Sequence, residues 1–242
     1  MPTGRKLPQT AVKNVRDVGP IATGRVSAMK SVRIFYTKLG RMKFVSHLDM
    51  NRLMIRVIRK SGIPVWYTEG FNRHIYINYA VPLSLGFEGV YEVMDIRLTV
   101  DDFSFEEAVD RLNAAAPEGI EFFRAEEPVL PTVDIAFAEY ELIFDPQNAP
   151  LYDKLKEFLS KESVICHKKD KKGRVKEFDI IPKVKRAEFK GDKALLTLSA
   201  GNEGNLNPSL VLSAFFEEMN ISPVFCSVKR LMLFDKDLKP FK

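Results

Sequence analysis

The stretch Tyr91-Glu-Val-Met-Asp-Ile-Arg-Leu-Thr-Val100 alternates apolar and polar residues, the period of a half-buried strand. It is followed by Phe105-Glu-Glu-Ala-Val-Asp-Arg-Leu-Asn-Ala-Ala115, whose apolar positions recur at helical spacing. Ser104 stands where an N-cap belongs, with Glu107 three residues on, and Pro117 and Gly119 end the helix. Ile120–Ala125 then reads as a second strand. Upstream, Val32–Lys38 is a strand, and Gly40–Arg41 turns the chain. Ser46 to Ser61 is a helix stopped by Gly62 and Pro64, with Leu48, Met54, Ile55 and Ile58 as its core side. Val65–Thr68 and Ile75–Tyr79 are strands around a Gly70–Asn72 turn. The order is β-α-β-β-α-β with one extra β element, the ferredoxin-like pattern.

Beyond Pro128-Val-Leu-Pro131 the pattern recurs. Ala138–Phe144 is a strand and Pro150–Ser160 a helix; Ser163–His167 and Val175–Ile180 form a hairpin around Lys168–Gly173. Arg186–Phe189 pairs with Ala194–Leu198, Pro208–Met219 is a helix, and Val224–Leu233 is the last strand. The expected class is α+β, with two ferredoxin-like halves and antiparallel sheets. The expected organisation is a disordered basic arm over residues 1–30, domains over 31–127 and 138–242, and a linker over 128–137. The arm shows no apolar periodicity, and translation starting at Met29 is an alternative that would remove most of it.

The 242 residues are 45% hydrophobic, enough for buried cores, and no run approaches a membrane span. No apolar signal region opens the chain, so a cytoplasmic protein is expected. Two cysteines, Cys166 and Cys226, are too few for a disulfide framework or an iron–sulfur site of the chain's own. No cofactor and no metal are expected. No C-x-x-x-C-x-x-C, P-loop or G-x-G-x-x-G is present. The net charge of +5 is mild, but it is unevenly spread. Residues 31–62 carry eight Lys/Arg and one acid, residues 88–141 carry fifteen acids and three bases, and residues 165–193 carry eleven Lys/Arg and five acids. Two basic blocks flank an acidic middle, an asymmetry suited to polyanions.

The densest run of unusual residues is Phe44–Leu98. It holds Phe44-Val-Ser-His-Leu-Asp49, then Arg52, Arg56, Arg59 and Lys60, then Tyr67-Thr-Glu-Gly-Phe-Asn-Arg-His74, then Val81-Pro-Leu-Ser-Leu-Gly86, and Glu92 and Asp95. On these residues the chain resembles the radical-SAM-linked (radical-SAM-associated) protein family of bacteria, with its pattern F-x-S-H-L-D, helical arginines, Y-S-x-G-F-x-P-H-P, P-L-x-x-G, E and D. The resemblance begins near Val32 and takes in Asp179-Ile-Ile-Pro182 and Asn205–Pro208. At Arg73 and Ile75 the usual P-H-P becomes R-H-I, which removes the prolines that would stiffen the loop around His74. The resemblance implies a bacterial cytosolic protein working with a radical SAM enzyme, in a setting that points to RNA. It supplies no mechanism.

Ser46 and Asp49 fit a helix cap, which accounts for both without catalysis. His47 and His74 are two of only three histidines. With Asp49 they are the candidate catalytic residues, as an acid–base pair acting on RNA or as part of a metal site, and loop-holding hydrogen bonds are the plain alternative. Arg52, Arg56, Arg59 and Lys60 share one helical face suited to tracking phosphates. Tyr67, Phe71, Tyr76 and Tyr79 interleave with Arg73 and His74, so exposed members could stack bases, while Tyr67 and Phe71 equally suit a core. Lys168, Lys169, Lys171, Lys172 and Arg174 form a basic hairpin tip, a second phosphate contact or an ordinary solvated turn. The expected function is an RNA-binding accessory that presents tRNA or rRNA to a radical SAM partner through Arg52, Arg56, Arg59, Arg73, His74 and this tip. The alternatives are an RNA-processing or RNA-modifying enzyme, and a protein-docking subunit without RNA.

Overall fold

A computed structural model describes residues 29–169, 175–201 and 204–242. The first half runs β1 (Lys30–Lys38), α1 (His47–Ser61), β2 (Ile77–Tyr79), β3 (Glu88–Leu98), α2 (Phe105–Ala115) and β4 (Ile120–Glu126). The second runs β5 (Phe137–Phe144), α3 (Leu151–Leu159), β6 (Ile165–Lys169), β7 (Val175–Asp179), β8 (Val184–Lys190), β9 (Lys193–Ser199), α4 (Pro208–Glu218) and β10 (Cys226–Phe234). The chain is thus a mixed α and β protein with four helices among the described residues. Of the arm expected over residues 1–30, only Met29 and Lys30 are described, and Lys30 already belongs to β1.

In place of one sheet per half, a single eight-stranded sheet runs through both, in the order β4-β1-β3-β10-β5-β9-β8, with β2 also on β3. Every pairing is antiparallel except β3 with β10. The length of β3 makes the fusion possible. The C-terminal part of one of its edges takes β2 at Met94, Asp95 and Ile96, and the free N-terminal part takes β10 at Glu88 and Gly89. The strands expected over Val65–Thr68 and Ile75–Tyr79 are shorter than the sequence predicts. Val65 and Tyr67 make only single bridges, to Leu98 and Ile75, and β2 keeps three residues. Strands β6 and β7 form a hairpin outside the large sheet.

The period of two along each strand sorts residues to two cores. Val32, Ile34 and Tyr36 on β1, with Met94, Ile96 and Leu98 on β3, pack under α1 and α2. The intervening Phe35, Tyr91 and Val93 join Tyr140, Leu142 and Val228 in the cluster that includes Leu155 and Phe158 of α3 and Phe215 of α4. Register carries this across the seam: Lys229 lies beside Glu88, while Val228 faces the second core. The two helix pairs therefore cover opposite faces of one sheet. Helix α1 presents Met50, Met54, Val57 and Ile58 to its core. Leu48, expected there, is 70% exposed, because it lies two positions and about 200° of helical rotation from Met50.

The seam is held by a buried ion pair. Arg230 of β10 donates from Nε to Glu92 Oε1 of β3 at 2.9 Å, a second bond joins Nη2 to Glu92 Oε2, and Nη2 also donates to the Val81 carbonyl at 2.6 Å. Both side chains are 3% exposed or less. Burial works against the charged guanidinium, but Glu92 and Tyr140 together more than offset it and raise the Arg230 pKa. Gly89 makes the room, since a Cβ there would lie 2.1 Å from Glu92 Oε1. A second fork, Arg33 on Asp95 at 2.8 and 2.9 Å, also donates to the carbonyls of Leu130 and Lys242. Removing one member of a buried pair strands the other charge. Arg230→Met alone is expected to cost about 3–5 kcal/mol in urea unfolding, and the double variant Glu92→Leu/Arg230→Met much less than the single variant.

Candidate functional site

Helix α1 begins where the sequence predicts. Ser46 is the N-cap: its Oγ accepts from the Asp49 backbone N–H at 3.2 Å and donates to Asp49 Oδ2 at 2.8 Å. The aspartate is too short to reach back to the Ser46 amide and bonds the hydroxyl instead. Arg52 Nη1 holds the other carboxylate oxygen at 2.9 Å. The Ser46 hydroxyl first, and Arg52 second, keep the Asp49 pKa below its ordinary value. Gly62, at φ +65°, closes the helix in the left-handed conformation.

His47, next to the cap, is exposed and sets its ring edge-on to Tyr79 with centroids 5.1 Å apart. It stands at a crevice lined by Tyr36, Lys38, Tyr79 and Glu92. The crevice has about 10 Å³ of space, room for a single water at most. Lys38, 3% exposed, donates to the Val45 carbonyl at 3.0 Å, and burial lowers its pKa. Burial raises the Tyr79 pKa, and the Tyr79 hydroxyl has no hydrogen-bond partner among the described residues. A crevice of this size has no room for a nucleotide, so any partner of His47 must approach from the surface.

Arg52, Arg56, Arg59 and Lys60 are all exposed, on the side of α1 away from the core. Among the described residues, only Arg52 of these four has an acidic partner. The side chains of Arg56, Arg59 and Lys60 make no hydrogen bond or ion pair among the described residues. Between α1 and the short 3-10 turn Gly40–Phe44 runs a shallow groove with Met42, Val45 and Leu53 in its floor and Arg52 and Arg56 at its rim. Phe44 and Leu48 stand beside it, 69% and 70% exposed. The sequence signal for these two was their place in Phe44–Asp49, but apolar residues there read equally well as core.

The loop Thr68–His74 is pinned at its base. The Thr68 amide donates to the His74 carbonyl at 2.8 Å, and the His74 amide donates to Thr68 Oγ1 at 3.2 Å. His74 Nδ1 lies 3.0 Å from the Asn72 carbonyl and 3.1 Å from Thr68 Oγ1. A bond to the carbonyl requires Nδ1–H, and His74 itself is an exposed residue. Phe71 at the tip is fully exposed, and Arg73 is exposed as well. Tyr67 instead packs against the core under α1. Five residue steps of near-extended chain separate His74 from Tyr79, roughly 16 Å at about 3.3 Å per residue. No hydrogen bond, ion pair or ring contact joins His47 to His74. The described residues contain no group of three or more His, Cys, Asp or Glu side chains able to hold a metal ion.

Of the basic tip, Lys168 and Lys169 lie in β6, in register with Lys176 and Val175, whereas Lys171, Lys172 and Arg174 lie outside the described residues. Cys166 and Cys226 are free thiols with pKa values raised by burial, Cys226 to about 12.

Over residues 31–208 the chain matches the family described as "Uncharacterized protein conserved in bacteria (DUF2344)". The chain belongs to that family. The match spans β1 to the first residue of α4, so it takes in every residue of the α1 face and of the pinned loop, while β10 and Arg230 lie beyond it. The family description specifies no substrate and no partner. No curated protein matches the chain. No helix among the described residues is long and apolar enough to cross a membrane.

The cap accounts for Ser46 and Asp49 in this family member. Ser46→Ala is expected to cost about 1 kcal/mol of stability in thermal unfolding. It should also move the Asp49 pKa, read by NMR, back up toward its ordinary value. The pKa is depressed in the folded state, so this contribution is present above the unfolded value. It is lost as pH falls through the folded one.

Proposed function

We propose that this protein is an RNA-binding accessory that holds tRNA or rRNA on the exposed face of α1 and presents it to a radical SAM enzyme. The observation that supports this reading best is the unneutralised cationic face. Arg56, Arg59 and Lys60 project from one side of α1, and the one acid of the helix, Asp49, is already engaged by Ser46 and Arg52. Forked guanidiniums at i, i+4 and i+7 suit a phosphate backbone, since each can bridge two phosphate oxygens. The radical SAM partner rests on the motif resemblance in Phe44–Leu98. We also read each half as ferredoxin-like, because β4-β1-β3-β2 and β10-β5-β9-β8 repeat one strand order, with the β6–β7 hairpin inserted in the second. That architecture hosts many activities, so the functional reading rests on the site rather than the fold.

The enzymatic alternative has less support. Asp49 is committed to the cap, His47 to the Tyr79 edge, and His74 to its own loop. The double variant Arg52→Ala/Arg56→Ala is expected to weaken RNA binding at low salt and to reduce the slope of log K against log salt by about 1–2. Unchanged affinity and slope would overturn the assignment. Loss of turnover without loss of affinity in His47→Ala would favour the enzyme instead.

A further inference from the structure

The hairpin from Val65 to Tyr79 carries features that folding does not explain. Phe71 is fully exposed at a tip where Gly70 takes a φ of +109°. Among the described residues its ring covers no core residue and makes no aromatic or cationic contact. The loop presenting it is nevertheless pinned, by the Thr68 amide on the His74 carbonyl, by the His74 amide on Thr68 Oγ1, and by the His74 ring on the Asn72 carbonyl. Holding an apolar ring in water on an ordered loop gains nothing for the isolated fold.

The foot of the same hairpin is also unusual. The Arg97 guanidinium lies 4.4 Å from the Tyr76 ring centroid and 5.3 Å from that of Trp66. It makes no hydrogen bond or ion pair among the described residues, although Asp95 is two residues away and already taken by Arg33. Tyr76 and Arg97 line a groove of about 390 Å³ with Ser31 and the Pro128–Pro131 segment. The hairpin and the β3 arginine under its foot therefore combine one solvent-facing ring, an arginine at the tip without a partner among the described residues, and Arg97 stacked on the hairpin's aromatics.

We infer that this hairpin is a recognition arm for unpaired nucleotides: Phe71 stacks on a base, and Arg73 and Arg97 hold the phosphates that flank the bound strand. The inference rests on the RNA reading above and adds that the bound segment is single-stranded. Charge and shape favour nucleic acid over a protein partner. Phe71 is flanked by Gly70, Asn72, Arg73 and His74 rather than by other apolar residues, whereas a protein anchor normally sits within an apolar patch. Glu69 is the only acid in the loop. A duplex would keep its bases stacked on each other and offer Phe71 no open face.

The test uses the full chain, one fluorescently labelled RNA oligonucleotide, and the same oligonucleotide annealed to its complement. The wild type is expected to prefer the single strand. Phe71→Ala should weaken single-strand binding about tenfold without changing the salt slope, since stacking releases no counterions. Phe71→Trp should restore it. Arg73→Ala should lower the slope by about 0.7. Phe71 and Arg73 are exposed, so unchanged thermal unfolding is expected for all three variants. Equal binding of both RNA forms, or Phe71→Ala at wild-type affinity, would overturn the recognition arm. The RNA reading itself would survive that result if Arg52→Ala/Arg56→Ala still lost affinity. If Phe71→Ala instead spares RNA binding but abolishes binding to a purified radical SAM partner, the arm is a protein anchor and the inference fails. Absence of binding to either RNA form at low salt would overturn both readings together.

Discussion

Glu92 and Arg230 lie 138 residues apart and meet in a site closed to water. A buried carboxylate and guanidinium are tolerated together only when their geometry is good and their remaining bonding capacity is used, and here the fork is supplemented by the Val81 carbonyl. The pair sits where β10 meets the N-terminal end of β3, the one parallel pairing in the large sheet and one of only two residues' length. So short a ladder is weak on hydrogen bonds alone. The pair gives it a definite register, and that register passes the alternation of β3 on to β10 and β5.

Much else follows from that register. Because Lys229 aligns with Glu88, the second pair of helices packs on the face opposite α1 and α2. The face of β1 and β3 that α1 does not cover is closed by Phe241, whose ring lies under Arg33 and whose carbonyl accepts from the Tyr91 hydroxyl. The Leu130 carbonyl is gathered by the same arginine. With that face closed and α1 set on the other, the cationic side of α1 and the tip of the Val65–Tyr79 hairpin are left exposed.

The cationic side, the pinned loop and the Arg97 stack share one electrostatic feature. Each offers a guanidinium with no ion pair among the described residues: Arg56 and Arg59 on α1, Arg73 in the loop, and Arg97 on β3. Asp49 is drawn into the cap, Asp95 into the fork with Arg33, and Glu88 into a contact with Lys229. The strongly acidic stretch 88–141 is therefore partly consumed inside the fold, and its charge does not simply cancel that of α1.

Local rules made the helices legible. Ser104 with Glu107, Ser46 with Asp49, and the glycine after Ser61 mark their ends because capping is settled within a few residues. Strands β1, β3, β5 and β9 were legible from alternation, which reports one buried face. The arginine face of α1 was legible as well, since spacing alone places it. Neither the joining of two sheets into one nor the exposure of Leu48 and Phe71 could be read that way. Nothing local distinguishes a strand that closes its own sheet from one that also accepts a distant edge, and an apolar side chain in the first turn of a helix or in a loop looks the same whether it is covered or bare. The aspartate of the SHLD motif shows the same division. Its spacing predicted a cap, but only the packed structure decided that its second oxygen would go to Arg52, leaving Arg56, Arg59 and Lys60 as the open charges.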